Sequence, residues 1–194
     1  MPQVHYKLYK PFGMLSQLHS NDPKEMRKKR FLDALFPFPK GSMPIGRLDE
    51  KSEGLLLMTT DGKLSDTVNS SGIEKEYYAQ LDGEISGDAA ETLAKGVHIG
   101  ICGKKYLTKP CRVRVLGVTP NLPKADIKLR IDRHRPSSWI SITLTEGKFR
   151  QVRKMTAAVG FPTLRLVRVR IAGISLGTMA PGEVAACNLP HLLQ

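Results

Sequence analysis

The alternation of apolar and polar positions predicts a chain of many strands and few helices. Residues 4–9 place Val4, Tyr6 and Leu8 on one face and His5, Lys7 and Tyr9 on the other, the period of a strand. Lys10-Pro11-Phe12-Gly13 ends it in a turn, and residues 14–17 resume an extended pattern. Asp22 ahead of Pro23 predicts a capped helix over 23–35, with Phe31, Leu32, Leu35 and Phe36 as apolar anchors near its end. Leu55-Leu56-Leu57-Met58 is an unbroken apolar run closed by Asp61-Gly62, which reads as a strand buried on both faces. A short helix over 63–69 follows, then an alternating strand over 75–81 closed by Asp82-Gly83. Next is a helix capped by Ser86 and stopped at Gly96.

Residues 97–132 alternate apolar and basic positions, as in Arg112-Val113-Arg114-Val115 and Ile127-Lys128-Leu129-Arg130-Ile131. They predict antiparallel strands with one wet, basic face. Residues 138–145 predict another strand, with Trp139 packed at its start. Residues 148–159 predict a helix ended by Gly160, with Phe149, Val152, Met155 or Thr156, and Val159 on its apolar face. In 164–171 the alternation slips by one, so that Leu164 and Leu166 share a face with Arg168 and Arg170; a bulge or a strong twist accounts for that. Helices scattered irregularly among strands give an α+β fold, a mixed, largely antiparallel sheet with peripheral helices. A chain of 194 residues suits one domain spanning 1–194.

Composition adds one feature, charge. An apolar share of 41% with 25% charged residues is that of an ordinary folded protein. Thirty Lys and Arg against eighteen Asp and Glu give a net charge of +12, and the pI near 9.8 favours a polyanionic partner such as nucleic acid. Lys24, Arg27, Lys28, Lys29 and Arg30 form one basic cluster, which serves equally well as a solvated helix face or as an RNA phosphate contact. Cys102, Cys111 and Cys187 show no paired spacing, so they read as buried or inert thiols in a reducing compartment. No signal peptide or membrane span is seen, which predicts a cytoplasmic protein.

The five histidines, His134 and His191 among them, are scattered without ligand spacing, so no metal site is expected. Gly173-Ile174-Ser175-Leu176-Gly177 matches the nucleophile-elbow pattern, with Glu183 and His191 following in hydrolase order. The elbow needs a helix directly after the serine, and Met179-Ala180-Pro181-Gly182 forbids a long one, so Ser175 reads as a strand or turn residue. Asp49 is a stronger candidate. It lies on an irregular connection between Gly46 and Gly54, beside Arg47 and the apolar anchors Ile45 and Leu48, where a rigid strand braces a loop. On spacing alone, an ion pair with a neighbouring Arg or a turn hydrogen bond explains it better, because acids in loops are common.

Several motifs occur together: Gly46-Arg47-Leu48-Asp49, Ser52-Glu53-Gly54-Leu55-Leu56-Leu57, Thr60-Asp61-Gly62, Lys75-x-Tyr77, and the run from Glu146 through Gly147, Lys148, Phe149, Arg150, Gln151, Val152, Arg153 and Lys154 to Met155. In this order they closely resemble the RsuA-type pseudouridine synthases, the RsuA, RluB, RluE and RluF enzymes of ribosomal RNA. The opening Lys10-Pro11-Phe12-Gly13-Met14-Leu15-Ser16-Gln17 is most similar to the RluE group. The resemblance implies a pseudouridine synthase fold with two lobes flanking a basic active-site cleft. It also implies a cofactor-free isomerisation of one uridine in large-subunit (23S) ribosomal RNA, naked or in a partly assembled subunit, by a monomer.

By the same resemblance Asp49 is the catalytic aspartate, Tyr77 stacks on the target base and assists proton transfer, and Arg153 is the basic partner of Asp49. Val152 lies beneath the uracil ring. Lys148 and Arg150 fall to substrate binding, and Arg47 either orients the RNA or pairs with an acid. Many relatives carry a small RNA-binding module ahead of the catalytic domain. Here the catalytic pattern starts near residue 4, which predicts that substrate placement relies on the domain's own basic surface. The rivals are a non-catalytic RNA-binding or ribosome-assembly protein of the same fold, a synthase acting on small-subunit RNA or transfer RNA, and a nucleoside hydrolase that would release free uracil.

Overall fold

The computed structural model describes residues 3–70, 72–129, 131–132 and 135–189. In chain order the strands are β1 (His5–Lys10), β2 (Met43–Ile45), β3 (Glu53–Thr59), β4 (Lys75–Asp82), β5 (His98–Ile101), β6 (Lys104–Leu107), β7 (Arg112–Leu116), β8 (Ser137–Leu144), β9 (Thr163–Ile171), β10 (Ile174–Ser175) and β11 (Val184–Ala186). The helices are α1 (Pro23–Lys28), α2 (Gly62–Ser70), α3 (Gly87–Lys95) and α4 (Gln151–Ala158). The fold is α+β with a largely antiparallel sheet, as the patterning predicts. The chain divides into two compact units, Met1–Ile73 with Arg168–Gln194, and Glu74–Val167. Strand β9 begins in the second and ends in the first.

In the first unit the apolar run becomes β3, every residue of which is buried. Strand β1 pairs antiparallel along one edge of β3, with Leu8 opposite Leu56, and β2 pairs on the other, with Ile45 opposite Leu57. Strand β11 adds to the far edge of β1. Leu8, Met14, Leu32, Leu56 and Met58 form the core of one face. Asp61-Gly62 does more than close a strand: Asp61 Oδ1 accepts from the N–H groups of Lys63 and Leu64 and so opens α2.

The helix predicted over 23–35 is only α1. Its start is as expected, with Pro23 in the first turn and Asp22 Oδ1 accepting from the Lys24 N–H at 2.8 Å. It stops at Lys28 because none of its residues is buried, and because the chain turns extended, with Arg30 bridged to Met14, and carries Phe31 and Leu32 into the core, 4% and 0% exposed, Leu32 opening a short 3-10 turn over Leu32–Ala34. Burial of two large side chains outweighs the small propensity gained by another helical turn. The helical cations also diverge. Lys29 pairs with Glu50 at 2.7 Å, so that member of the basic cluster is a structural contact.

In the second unit β4 and β8 pair over their full lengths, Tyr77 opposite Ile142, and β7 pairs with the other edge of β8. One face carries Ala79, Leu81, Ile140, Ile142 and Leu144, against Leu93 of α3 and Val152 and Met155 of α4. Helix α3 matches its sequence signals: Ser86 Oγ accepts from the Ala89 N–H, and Gly96 follows the last residue. Strands β5 and β6 form a separate hairpin, with exposed Cys102 in its turn; Cys111 and Cys187 are half-buried and burial pushes both thiols up to about 11.

Three predicted patterns differ. No strand occupies 127–131 among the described residues: Asp126 takes the Lys128 N–H on its side chain and the Leu129 N–H on its carbonyl, and Ile127 is 97% exposed. A local turn satisfies that backbone in place of a ladder; Arg130 of the same pattern lies outside the described residues. In β9 the slipped alternation reflects buried arginines. Arg165 and Arg168 are 4% and 2% exposed, and they donate to the carbonyls of Pro123 and Leu55 at 2.9 and 2.8 Å. The helix predicted from Lys148 begins only at Gln151, because Arg150 takes a left-handed conformation (φ 53°, ψ 36°) and breaks the phase. Phe149 is therefore 69% exposed.

Gly96 ties α3 to the following strands in a way no other residue allows. Its φ is +99°, and a Cβ there would sit 2.4 Å from the carbonyl oxygen of Thr108. Gly96→Ala is expected to destabilise the protein by about 1–3 kcal/mol from backbone strain alone, with the collision adding to it. Urea unfolding of the variant beside wild type measures this, and equal midpoints would contradict it.

Candidate active site

Asp49 sits where β2 hands the chain to β3, on a connection without regular structure. Gly46 starts that connection with φ +67°, and its missing side chain leaves room for Asn69 of α2, whose Oδ1 would lie 3.1 Å from a Cβ. The backbone on either side of Asp49 is then pinned. Ser16 Oγ, 6% exposed, accepts from the Leu48 N–H at 2.9 Å and donates to the Leu48 carbonyl at 2.8 Å. The Ser52 N–H donates to the Asp49 carbonyl at 2.9 Å, and the Gly13 N–H to the Glu50 carbonyl at 2.8 Å. The side chain of Leu48 is buried beneath the loop, while Asp49 itself is half-buried. A side chain on such a backbone is held in direction before any ligand arrives, which is what a reacting carboxylate requires.

Lys10, fully buried at the end of β1, braces the same loop. Its Nζ donates to the carbonyls of Met14 at 2.6 Å, Pro11 at 3.0 Å and Glu50 at 3.4 Å. Burial pushes this ammonium down to about 7, against the pull of Glu53 and Glu50; Arg168 pushes the same way as burial, and Asp49 adds a smaller opposing pull. Glu53, 3% exposed, also accepts from the Tyr9 hydroxyl at 3.3 Å. Ser16 and Lys10 both stand in the opening run that resembles the RluE group, but the sequence gives neither a bracing role. Lys10 reads there as a turn residue, and only its burial reveals its part. Arg47 is exposed.

The remaining candidates belong to the second unit. Tyr77, half-buried on β4, and Val152, 5% exposed on α4, pack into one core cluster. Tyr78 falls on the opposite face of β4 by alternation. Arg153, on the same helix as Val152, donates from Nη1 to the Thr163 carbonyl at 3.1 Å. Lys148 and Arg150 are exposed on the loop that enters α4. That loop is organised by Glu146, which accepts from the Tyr106 hydroxyl at 2.6 Å, the Lys109 N–H at 3.0 Å and the Gln151 amide. Burial alone would raise the Glu146 carboxyl, but these hydrogen bonds and the nearby Lys148 outweigh it and hold the group below the usual carboxylate range. Gln151 in turn accepts from the Lys148 N–H at 2.9 Å. Glu146 and Gln151 stood in the quoted motif without a role, and their place is to shape the loop.

Ser175 lies on the two-residue β10 opposite Arg170, with a turn and no helix after it, so the elbow pattern is a coincidence of spacing. Among the described residues no group of three or more His, Cys, Asp or Glu is arranged to hold a metal; His134 and His191 lie outside them. Among the same residues, no helix is long and apolar enough to cross a membrane.

The depressed Lys10 gives a pH signature. Its folded value of about 7 lies below the ordinary 10.5, so between those limits the unfolded chain binds more protons and stability rises with pH. Lys10→Met removes this contribution. The stability of wild type relative to the variant is expected to climb by up to about 1.4 kcal/mol per pH unit from pH 7 towards 10.5. Urea unfolding at a series of pH values tests it; parallel profiles for the two proteins would show that Lys10 does not titrate in this window.

Comparison with known proteins places the chain in a family. The family described as RNA pseudouridylate synthase matches residues 5–158. A ribosomal large subunit pseudouridine synthase E of Xanthomonas campestris pv. campestris is 39% identical over 178 residues, covering 91% of each chain. A ribosomal small subunit pseudouridine synthase A of Escherichia coli K12 is 35% identical over 182 residues, covering 92% of this chain and 68% of its own. Among solved structures, a pseudouridylate synthase crystal structure superposes with a TM-score of 0.76 at 26% identity, over 98% of this chain and 73% of that one. A strand-braced aspartate loop, a Lys-x-Tyr strand and a Glu-to-Met motif opening a helix thus recur in a chain that matches one family over most of its length, and the protein belongs to the RNA pseudouridylate synthases, isomerases that convert uridine to pseudouridine.

Proposed function

We propose that the protein modifies one uridine of large-subunit ribosomal RNA, with Asp49 as the catalytic carboxylate and the whole chain, 1–194, serving as one catalytic domain. The observation that carries the catalytic part is the pinned loop: the backbone at Leu48, Asp49 and Glu50 is fixed by Ser16, Ser52 and Gly13, and this is far more bracing than a surface acid needs. The choice of RNA rests on the relatives. Those named large subunit pseudouridine synthase E, from two Xanthomonas and two Vibrio species, are 37–39% identical, against 33–35% for those named small subunit pseudouridine synthase A.

The isomerisation breaks the bond from uracil N1 to the ribose C1′, turns the base and closes a bond from C1′ to the ring carbon C5; C5 gives up its proton, and the freed N1 ends protonated. No electron is gained or lost overall. An ionised Asp49 acts on the uridine either as a nucleophile or as a base at the ribose. Tyr77 stacks on the extruded base, a contact worth about 1–3 kcal/mol, which offsets the few kcal/mol spent in leaving the RNA stack. Val152 supports the uracil ring, and Arg153 is the basic member of the catalytic set. Arg47, Lys148 and Arg150 take RNA phosphates, in keeping with a net charge of +12. The setting is the cytoplasm and the active species a monomer.

Wild type and Asp49→Asn are to be compared on ribosomal RNA, with pseudouridine mapped along every molecule. One modified position in large-subunit RNA is expected with wild type. Asp49→Asn should lose at least about 100-fold in rate, the scale of a general acid–base group, while binding RNA as before. Modification only of small-subunit or transfer RNA would replace the target. Full activity of the variant would remove Asp49 from the chemistry, and tight binding with no modification by wild type would leave an RNA-binding protein of this fold.

A further inference from the structure

Phe149 is an apolar side chain in the wrong place for a core. It belongs to the helical face expected to pack inward, yet it stands before α4 and is 69% exposed. The displacement is built in. Arg150 takes the left-handed conformation, which costs a non-glycine residue energy, and that turn is what carries Phe149 out of the helical phase. The loop around it is rigid, since Glu146 gathers Tyr106, Lys109 and Gln151, and Gln151 returns a bond to Lys148. A mobile loop would let the ring fold back onto apolar surface; this one holds it out.

What surrounds the ring is cationic. Lys154 Nζ stands 5.1 Å from the centroid of Phe149, and its own position is fixed by a bond to the Gly100 carbonyl at 2.7 Å. Lys148 and Arg150 are the chain neighbours of Phe149, and Lys148 Nζ lies 5.1 Å from the Tyr106 ring. Positive charge beside an exposed aromatic suits a polyanion with flat bases and discourages an apolar protein surface.

We infer that Phe149 is a stacking platform for an unpaired nucleotide of the RNA other than the target uridine, with Lys148, Arg150 and Lys154 taking the flanking phosphates. This rests on the reading of the protein as an RNA-modifying enzyme and adds a second base contact to it. A base on an aromatic face needs no hydrogen-bond readout. The platform therefore holds single-stranded RNA in register while sequence is read elsewhere.

The test uses the full chain and a fluorescein-labelled single-stranded RNA, with an RNA duplex of the same length as comparison. Phe149→Leu keeps the apolar volume and loses the flat ring; it is expected to weaken single-strand binding about 5- to 150-fold, the range that stacking one base supplies. Duplex binding should stay level. Phe149→Trp should bind at least as well as wild type, which separates stacking from misfolding. The salt dependence of binding should be unchanged in both, because no charge is removed. Equal single-strand affinity for wild type and Phe149→Leu, or equal loss on single strand and duplex, overturns the platform. If wild type binds neither RNA, the RNA reading itself falls; if wild type and Asp49→Asn both bind and only the Phe149 comparison is flat, the platform alone falls.

Discussion

A strand buried on both faces is the constraint from which the first unit follows. Every residue of β3 is out of water, so its edges must be paired by β1 and β2 and the chain leading into it has nowhere to wander. Charges at the ends of such a strand are a cost unless they answer one another. Glu53, Lys10 and Arg168 are 3%, 0% and 2% exposed, and each spends its hydrogen-bonding capacity on the frame: Glu53 accepts from Tyr9, Lys10 holds the carbonyls of the Asp49 loop, and Arg168 holds the carbonyl of Leu55. The loop that presents Asp49 is therefore rigid because the strand beside it is dry.

Much of this was legible where a local cause acts. Asp22 with Pro23, Ser86 with Gly96, and the unbroken run at residues 55–58 each carry a short-range signal, and each formed as read. The failures share one physical origin. The helix from Pro23 lost its last turns because Phe31 and Leu32 were needed in a core built from residues far along the chain. The strand expected at 127–131 gave way to a turn held by one aspartate, and Phe149 left its helical phase at a single left-handed residue. Periodicity sees neither the distant partner nor the one backbone angle that cancels it.

The candidate site divides along the same line. Asp49 was marked by its bracketing glycines and by family resemblance, and Tyr77, Val152 and Arg153 by motif alone. The bracing residues stood inside quoted motifs, but their task was not legible. Ser16 lies 32 residues from Leu48 and touches it twice, and nothing local to the serine announces that contact. Glu146 and Gln151 sat inside a recognised motif, but only their hydrogen bonds show that they shape the loop.

That separation of roles has a mechanistic sense. Isomerising a base within RNA asks for two kinds of precision: a carboxylate aimed at one ribose, and a grip on a flexible polyanion. Under the proposed function the first falls to Asp49, whose loop is held by backbone hydrogen bonds at Leu48, Asp49 and Glu50. Under the same proposal the second falls to exposed side chains, Lys148, Arg150 and their neighbours, whose attraction is long-ranged and weakened by salt. On that proposal, charges placed on a braced loop gather RNA without disturbing the aim of the carboxylate. The cost is that charge alone cannot position a base. An aromatic ring held in the open at Phe149 supplies what charge lacks, a contact that is short-ranged and directional, within the same loop.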